Sequence, residues 1–240
     1  MLVEVCANSL ESALNAQEAG TDRIELCSEL AVGGITPSYG LLKAVRKRIT
    51  IPVHVLVRPR SGDFTFSEAE FQIMKNNVIL CQELGFQGIV SGVLHADNTL
   101  DSERTTELRR LAKEMNFTFH RAFDWVTHPL EVLKQLEQIG VNYILTSGQQ
   151  QAALEGIGLL RKLHSTSTSC VIMPGAGVKE SNVNVFREDG FKAVHLSAAK
   201  FHKTLPVQPL VSMNTASFLK DDAIAVSNKK AIRAVINKVK

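Results

Sequence analysis

Eight short runs rich in β-branched residues recur along the chain, each followed by a segment of helical character. The runs are Leu2–Cys6, Arg23–Cys27, Val53–Val57, Gly88–Gly92, Phe117–Arg121, Tyr143–Thr146, Cys170–Met173 and Ala193–Leu196. They lie too far apart for hairpins and at the right distance for β-α units. The gaps carry helix punctuation. Asn8-x-x-Glu11 and Ser67-x-x-Glu70 read as capping boxes, and Thr36-Pro37 and His128-Pro129 place proline at a first helical position. Gly20, Gly85, Gly140 and Gly190 read as left-handed helix stops. Phe71, Met74, Val78 and Cys81 recur at helical spacing and predict one buried face.

Eight such units predict a (β/α)8 TIM barrel, α/β in class, formed as a single domain over residues 1–240. An open doubly wound sheet shares the alternation, but the first strand is not followed by the GxGxxG of that fold. The strands fall within 2–198. Residues 199–226 carry Pro206 and Pro209 with little periodicity and read as an irregular extension, and 227–239 as a last helix.

With 45% apolar and 21% charged residues, 240 residues suffice for a hydrophobic core, which excludes general disorder. A net charge of +3 is too balanced to point to nucleic acid or an anionic membrane. No apolar run reaches the ~18 residues of a membrane span. The first residues lack the basic head of a secretory leader, and four cysteines do not make a disulfide scaffold. The expectation is a cytoplasmic protein with reduced thiols.

Barrels keep their chemistry at the C-terminal strand ends, and side chains at i and i+2 share a strand face. Glu4 and Cys6 share a face in the first strand, as do Glu25 and Cys27 in the second. The third offers His54, Arg58 and Arg60, the fifth His120 followed by Asp124, and the eighth His195 and Ser197. Pro174-Gly175-Ala176-Gly177 closes the seventh. Two readings follow. These groups neutralise one another as an internal ion network, or they also form a ligand site. In the second reading Arg58 and Arg60 bind an anion together with Gly175, Gly177 and Ser197, because backbone N–H groups after the last two strands often hold phosphate. His120 is then the candidate acid or base, oriented by Asp124, with Glu25 or Glu4 as a second proton-transfer group. The arginines argue against a Mg²⁺ or Mn²⁺ site.

Cys6 and Cys27 end neighbouring strands, about 4.8 Å apart. Two thiolates bridged linearly by one metal would be roughly 4.5 Å apart, a geometry suited to Cu(I). The alternative is a pair of small buried thiols. Cys81, on an apolar helix face, and Cys170, at the start of a strand, read as packing residues.

Several blocks resemble the CutC family, the copper homeostasis proteins. They are Glu4-Val5-Cys6, the run Ala19 to Cys27, Gly33-Gly34-Ile35-Thr36-Pro37-Ser38, Arg58 to Phe64, Thr118 to Asp124, Leu145-Thr146-Ser147-Gly148 and His195-Leu196-Ser197-Ala198. The resemblance implies a cytoplasmic TIM barrel, dimeric or larger, with Cu(I) ligands at Cys6 and Cys27. It departs from the family pattern at Ala176, in place of a middle glycine, and at Asp97-Asn98, in place of Asp-Gly. Copper alone gives no role to Arg58, His120 or the glycine-rich turn. An enzyme acting on a small anionic, perhaps phosphorylated, substrate therefore stands as the alternative.

Overall fold

A computed structural model describes residues 1–213 and 221–240. The chain alternates β1 (Leu2–Ala7), α1 (Leu10–Ala19), β2 (Arg23–Leu26), α2 (Tyr39–Arg48), β3 (Val53–Leu56), α3 (Glu68–Glu83), β4 (Gly88–Ser91) and α4 (Ser102–Ala112). It continues through β5 (Asn116–Phe119), α5 (Pro129–Ile139), β6 (Tyr143–Thr146), α6 (Ile157–Thr166), β7 (Val171–Pro174), α7 (Val183–Glu188) and β8 (Ala193–Leu196). The parallel strands run in the order β7-β6-β5-β4-β3-β2-β1-β8. This is the expected (β/α)8 barrel, with β7 and β8 as the two ends of the ladder order. Among the described residues no helix is long and apolar enough to cross a membrane.

Strand alternation sorts the side chains into two layers. Val3, Val5, Ile24, Leu26, Val55 and Ile89 belong to the main core, together with helix residues such as Phe71, Leu133 and Leu160. The alternate positions face the barrel axis, where apolar packing is reduced to two small clusters. One is Cys6, Cys27, Leu56 and Val90; the other is built on Leu145, Met173 and Ala193. Charged and imidazole side chains occupy much of the remaining interior.

Glycine in β4 makes room for them. A Cβ on Gly88 would lie 2.4 Å from the His54 ring, and one on Gly92, just past the strand, 2.8 Å from the His120 ring. The fourth strand therefore gives up side-chain volume so that its neighbours can point imidazoles inward.

Some local expectations change. Ser67 and Glu70 form the capping box, and Pro129 opens α5 as its first residue. The Asn8–Glu11 box does not form. Ser9 is the N-cap of α1, accepting from the Ser12 N–H, while Asn8 accepts from the Ser12 hydroxyl and donates to the Ala225 carbonyl. Pro37 precedes the helix, because the Ser38 hydroxyl takes the cap of α2.

The extension is not wholly irregular. β9 (Ala199–Lys203) and β10 (Ala223–Ser227) pair antiparallel, with Ala199 opposite Ser227, before α8 (Lys229–Val239). The backbone ladder supplies an order that the side chains of 199–203, all exposed, do not signal. The part of the expected extension over 214–220 lies outside the described residues.

Two tests follow from this packing. Gly88→Ala forces a methyl into the buried His54 ring and is expected to cost about 2 kcal/mol in urea unfolding. In a His54→Ala background the added cost is expected to fall below ~0.5 kcal/mol, since the clash partner is gone. The second concerns Glu137 of α5, which accepts from the N–H groups of Thr168, Ser169 and Cys170 in the turn before β7. Burial pushes its carboxyl up, but the Ser169 and Thr168 N–H groups and the Ser167 hydroxyl outweigh that and hold it at about 2. Its stabilisation is therefore present in full above the ordinary value near 4.5 and is lost as the pH falls toward 2. Glu137→Gln is expected to cost about 1 kcal/mol at neutral pH, with the difference from the parent vanishing in strong acid.

Candidate functional site

The C-terminal ends of the strands open into a cavity of about 640 Å³. Cys6, Glu25 and His195 lie on its walls, with Arg58, His120 and Arg121. Phe64 and Trp125 form an aromatic side, their ring centroids 4.8 Å apart. A depression of about 1010 Å³ at the other end of the barrel is lined by Arg109, Arg110, Lys113 and Asn116. It sits at the end that barrels do not use for chemistry.

Beneath the cavity runs a chain of buried charge, and strand register builds it. In the sheet Glu4 is level with Arg23 of β2 on one side and His195 of β8 on the other. Arg23 Nε donates to Glu4 Oε2 at 2.5 Å, and His195 Nδ1 lies 2.8 Å from Glu4 Oε1. The other imidazole nitrogen of His195 reaches Glu25 Oε2 at 3.3 Å. Arg23 also stacks over Tyr143, 4.0 Å from its centroid, and points a second nitrogen at Met173 Sδ, 3.6 Å away.

Charge follows from this geometry. Burial pushes the Glu4 carboxyl up, but the Arg23 guanidinium and His195 prevail and hold it at about 2. Burial raises Glu25, partly offset by His195. Burial disfavours the His195 cation, yet Glu25, Cys6 and Glu4 together lift its pKa well above the ordinary imidazole value. His195 is thus an imidazolium between two carboxyl groups. His54, level with Glu25 on β3, is held at about 3 by burial and then by Arg23, and so is neutral.

The two cysteines meet as the strand ends predict. Cys6 Sγ and Cys27 Sγ are 3.4 Å apart, with Cys27 fully buried and Cys6 at the cavity wall. The contact with Cys27 and burial raise the Cys6 thiol well above its ordinary value. Ligand atoms of Cys6, Glu25 and His195 lie within 4.8 Å of one another. Cys81 and Cys170 are buried elsewhere as packing residues, and burial pushes Cys81 up to about 12.

The other expected residues divide. Arg58 lines the cavity, its terminal nitrogens donating to the carbonyls of Val32 (2.8 Å), Gly34 (3.0 Å) and Gly62 (2.7 Å). Arg60 turns away to Glu70 at 2.6 Å and Asp63 at 3.1 Å and does not line the cavity. Asp124 does not orient His120. It accepts from Thr146 Oγ1, Ser147 and Gln149, and pairs with Arg121 at 2.7 Å. The chain leaves β5 at Phe119 and enters a 3-10 turn over Arg121–Trp125, so strand alternation ceases to apply between His120 and Asp124. His120 Nδ1 accepts from the Ala122 N–H at 3.2 Å, which puts its proton on Nε2. Burial and Arg58 lower His120 to about 3 and keep it neutral. Gly177 and Ser197 line the cavity, whereas the Gly175 N–H bonds the Thr146 carbonyl at 3.0 Å.

Arg23 joins the site although it lies at the start of a strand rather than at its end. It opens β2 two residues before Glu25, and that spacing alone places it on the inward face.

Comparison with known proteins agrees with this architecture. A model of the CutC family matches residues 1–200. A CutC family protein of Edwardsiella ictaluri is 50% identical over 198 residues, covering 82% of this chain and 79% of that protein. One from Photorhabdus laumondii is 48% identical over 198 residues, covering 82% and 80%. The crystal structure of Streptococcus agalactiae CutC, named for copper homeostasis, superposes with a TM-score of 0.77 at 31% identity, covering 81% of this chain and 97% of that one. A thiamine phosphate pyrophosphorylase from Pyrococcus furiosus gives a TM-score of 0.61 at 13% identity over 99% and 95% of the two chains, a likeness of fold alone.

Removing the Glu4 charge should be severe. Glu4→Gln leaves Arg23 and His195 buried with no opposing carboxylate between them and is expected to cost about 3–5 kcal/mol. The urea midpoint measures this, and a loss below ~1 kcal/mol would mean that the ion chain does not brace the barrel.

Proposed function

The chain belongs to the CutC family, and from that premise we propose that it serves copper homeostasis by holding one Cu(I) ion between the thiolates of Cys6 and Cys27. The observation that carries this reading is the sulfur pair, 3.4 Å apart on adjacent strand ends with Cys6 at the cavity wall. A linear bridge needs the sulfurs about 4.5 Å apart, given metal–sulfur bonds near 2.3 Å. The pair therefore opens by about 1 Å on loading, a movement within reach of a small change in the Cys6 side chain. Soft thiolates in low number favour Cu(I), whereas structural Zn²⁺ takes four ligands. His195 and Glu25, close to Cys6, offer further donors on the cavity side.

Copper in this reading is cargo. It enters through the cavity and displaces the thiol protons. A cytoplasmic setting is supported by the Cys6–Cys27 pair, whose sulfurs, 3.4 Å apart, a reducing compartment keeps from oxidising to a disulfide. The homo-oligomer implied by the family resemblance is supported by an exposed apolar stretch after β9, at Val207, Leu210, Val211 and Met213.

The test is an anaerobic Cu(I) titration against a chromophoric chelator. The parent protein is expected to take up one Cu(I) per chain. A Cys6→Ser, Cys27→Ser variant is expected to lose more than about a hundredfold in affinity while keeping its circular dichroism. Equal affinity in the two proteins would refute the assignment.

A further inference from the structure

The copper reading leaves the cationic side of the cavity without a task. Arg58 is 5% exposed and, among the described residues, has no carboxylate in salt-bridge reach; its terminal nitrogens rest on three carbonyls. Its Nε has no hydrogen-bond partner among the described residues. Beside it the Nε2 of His120, a residue 6% exposed, is also buried without a partner. Both orphans are donors, since Nδ1 of His120 already accepts from the backbone. A buried cation without a carboxylate partner and two unsatisfied donors behind one cavity wall are costly; an anionic oxygen at that wall offsets the cation and, with a small shift of the Arg58 and His120 side chains, reaches the donors.

The far wall points to the same sign of charge. The turns after β7 and β8 bring Gly177, Val178, Ser197 and Ala198 to the cavity. Among the described residues their N–H groups donate to no backbone or side-chain acceptor. Ala176 and Ala198 hold left-handed backbone at φ 74° and 47°, and Gly177 at 71°, so these turns are kept in a shape that costs energy. N–H groups without an internal acceptor in two turns on one cavity suit a tetrahedral oxoanion better than a planar carboxylate. The volume of about 640 Å³ far exceeds a bare ion and suits a small organic molecule, which Phe64 and Trp125 would flank.

We propose that this cavity binds a small phosphomonoester whose phosphate is held by the N–H groups of Gly177, Val178, Ser197 and Ala198 and whose other end presents an acidic oxygen to Arg58 and His120. The proposal is independent of the copper reading, since neither Cys6 nor Cys27 contacts the phosphate in it.

The test is amide NMR of the ¹⁵N-labelled full chain, titrated with inorganic phosphate and then with 3-phosphoglycerate, against chloride at matched ionic strength. Inorganic phosphate is expected to give saturable shifts centred on the Gly177, Val178, Ser197 and Ala198 amides. The same response is expected in the Cys6→Ser, Cys27→Ser variant, which separates this site from copper. 3-Phosphoglycerate, which adds a carboxylate, is expected to bind about tenfold tighter than inorganic phosphate. Arg58→Gln is expected to remove that gain while leaving the phosphate response, and the same spectra report whether the variant is folded. Should Arg58→Gln unfold, His120→Phe, which removes the Nε2 donor, makes the same comparison. Absence of saturable shifts at those four amides, or equal affinity for the two probes in the parent protein, overturns the proposal.

Discussion

A carboxylate held between a guanidinium and an imidazolium at the bottom of a barrel is the contact on which this site rests. Arg23 favours the ionised form of Glu4 against the cost of burial, and Glu25, Cys6 and Glu4 favour the cation of His195 in the same way. Each charge alone would cost several kcal/mol; together they are tolerated because strand register puts them level. The same register aligns Cys6 with Glu25, so the ion chain fixes the floor from which the Cys6 sulfur rises. Its packing consequence is seen across the barrel. An interior filled with ionic and imidazole groups leaves apolar side chains only small clusters, and β4 yields glycine where the rings need room.

Above that floor the cavity has two chemically distinct sides. One is soft, with the two cysteine sulfurs beside the His195–Glu25 contact. The other is cationic and donor-rich, with Arg58 unmatched and His120 neutral. A thiol pair explains metal capture but needs no guanidinium, and an oxoanion site needs no thiols. Their presence on one cavity is the reason a single role for it leaves half of its wall unexplained.

The strands were legible because β-branched runs alternate cleanly with capped helices. The cysteine pair was legible because Val-Glu-Val-Cys and Ile-Glu-Leu-Cys repeat at equivalent strand positions. Alternation served well only while the chain stayed extended. It placed Arg60 with Arg58 and Asp124 with His120, but both second members lie past the end of a strand, where the backbone turns. Arg23 is not marked by its place at a strand end, because it acts from the start of β2. The pairing of β9 with β10 rests on backbone hydrogen bonds, and the exposed side chains of β9 leave no hydrophobic period to read there.

The central claim is that the paired sulfurs, rather than the neighbouring imidazole and carboxyl groups alone, capture the metal. X-ray absorption at the copper edge of the Cu(I)-loaded protein tests it most directly. The account predicts a low-coordinate Cu(I) site with two sulfur scatterers that disappear together in the Cys6→Ser, Cys27→Ser variant. A first shell of nitrogen and oxygen only, unchanged by that double substitution, would contradict it.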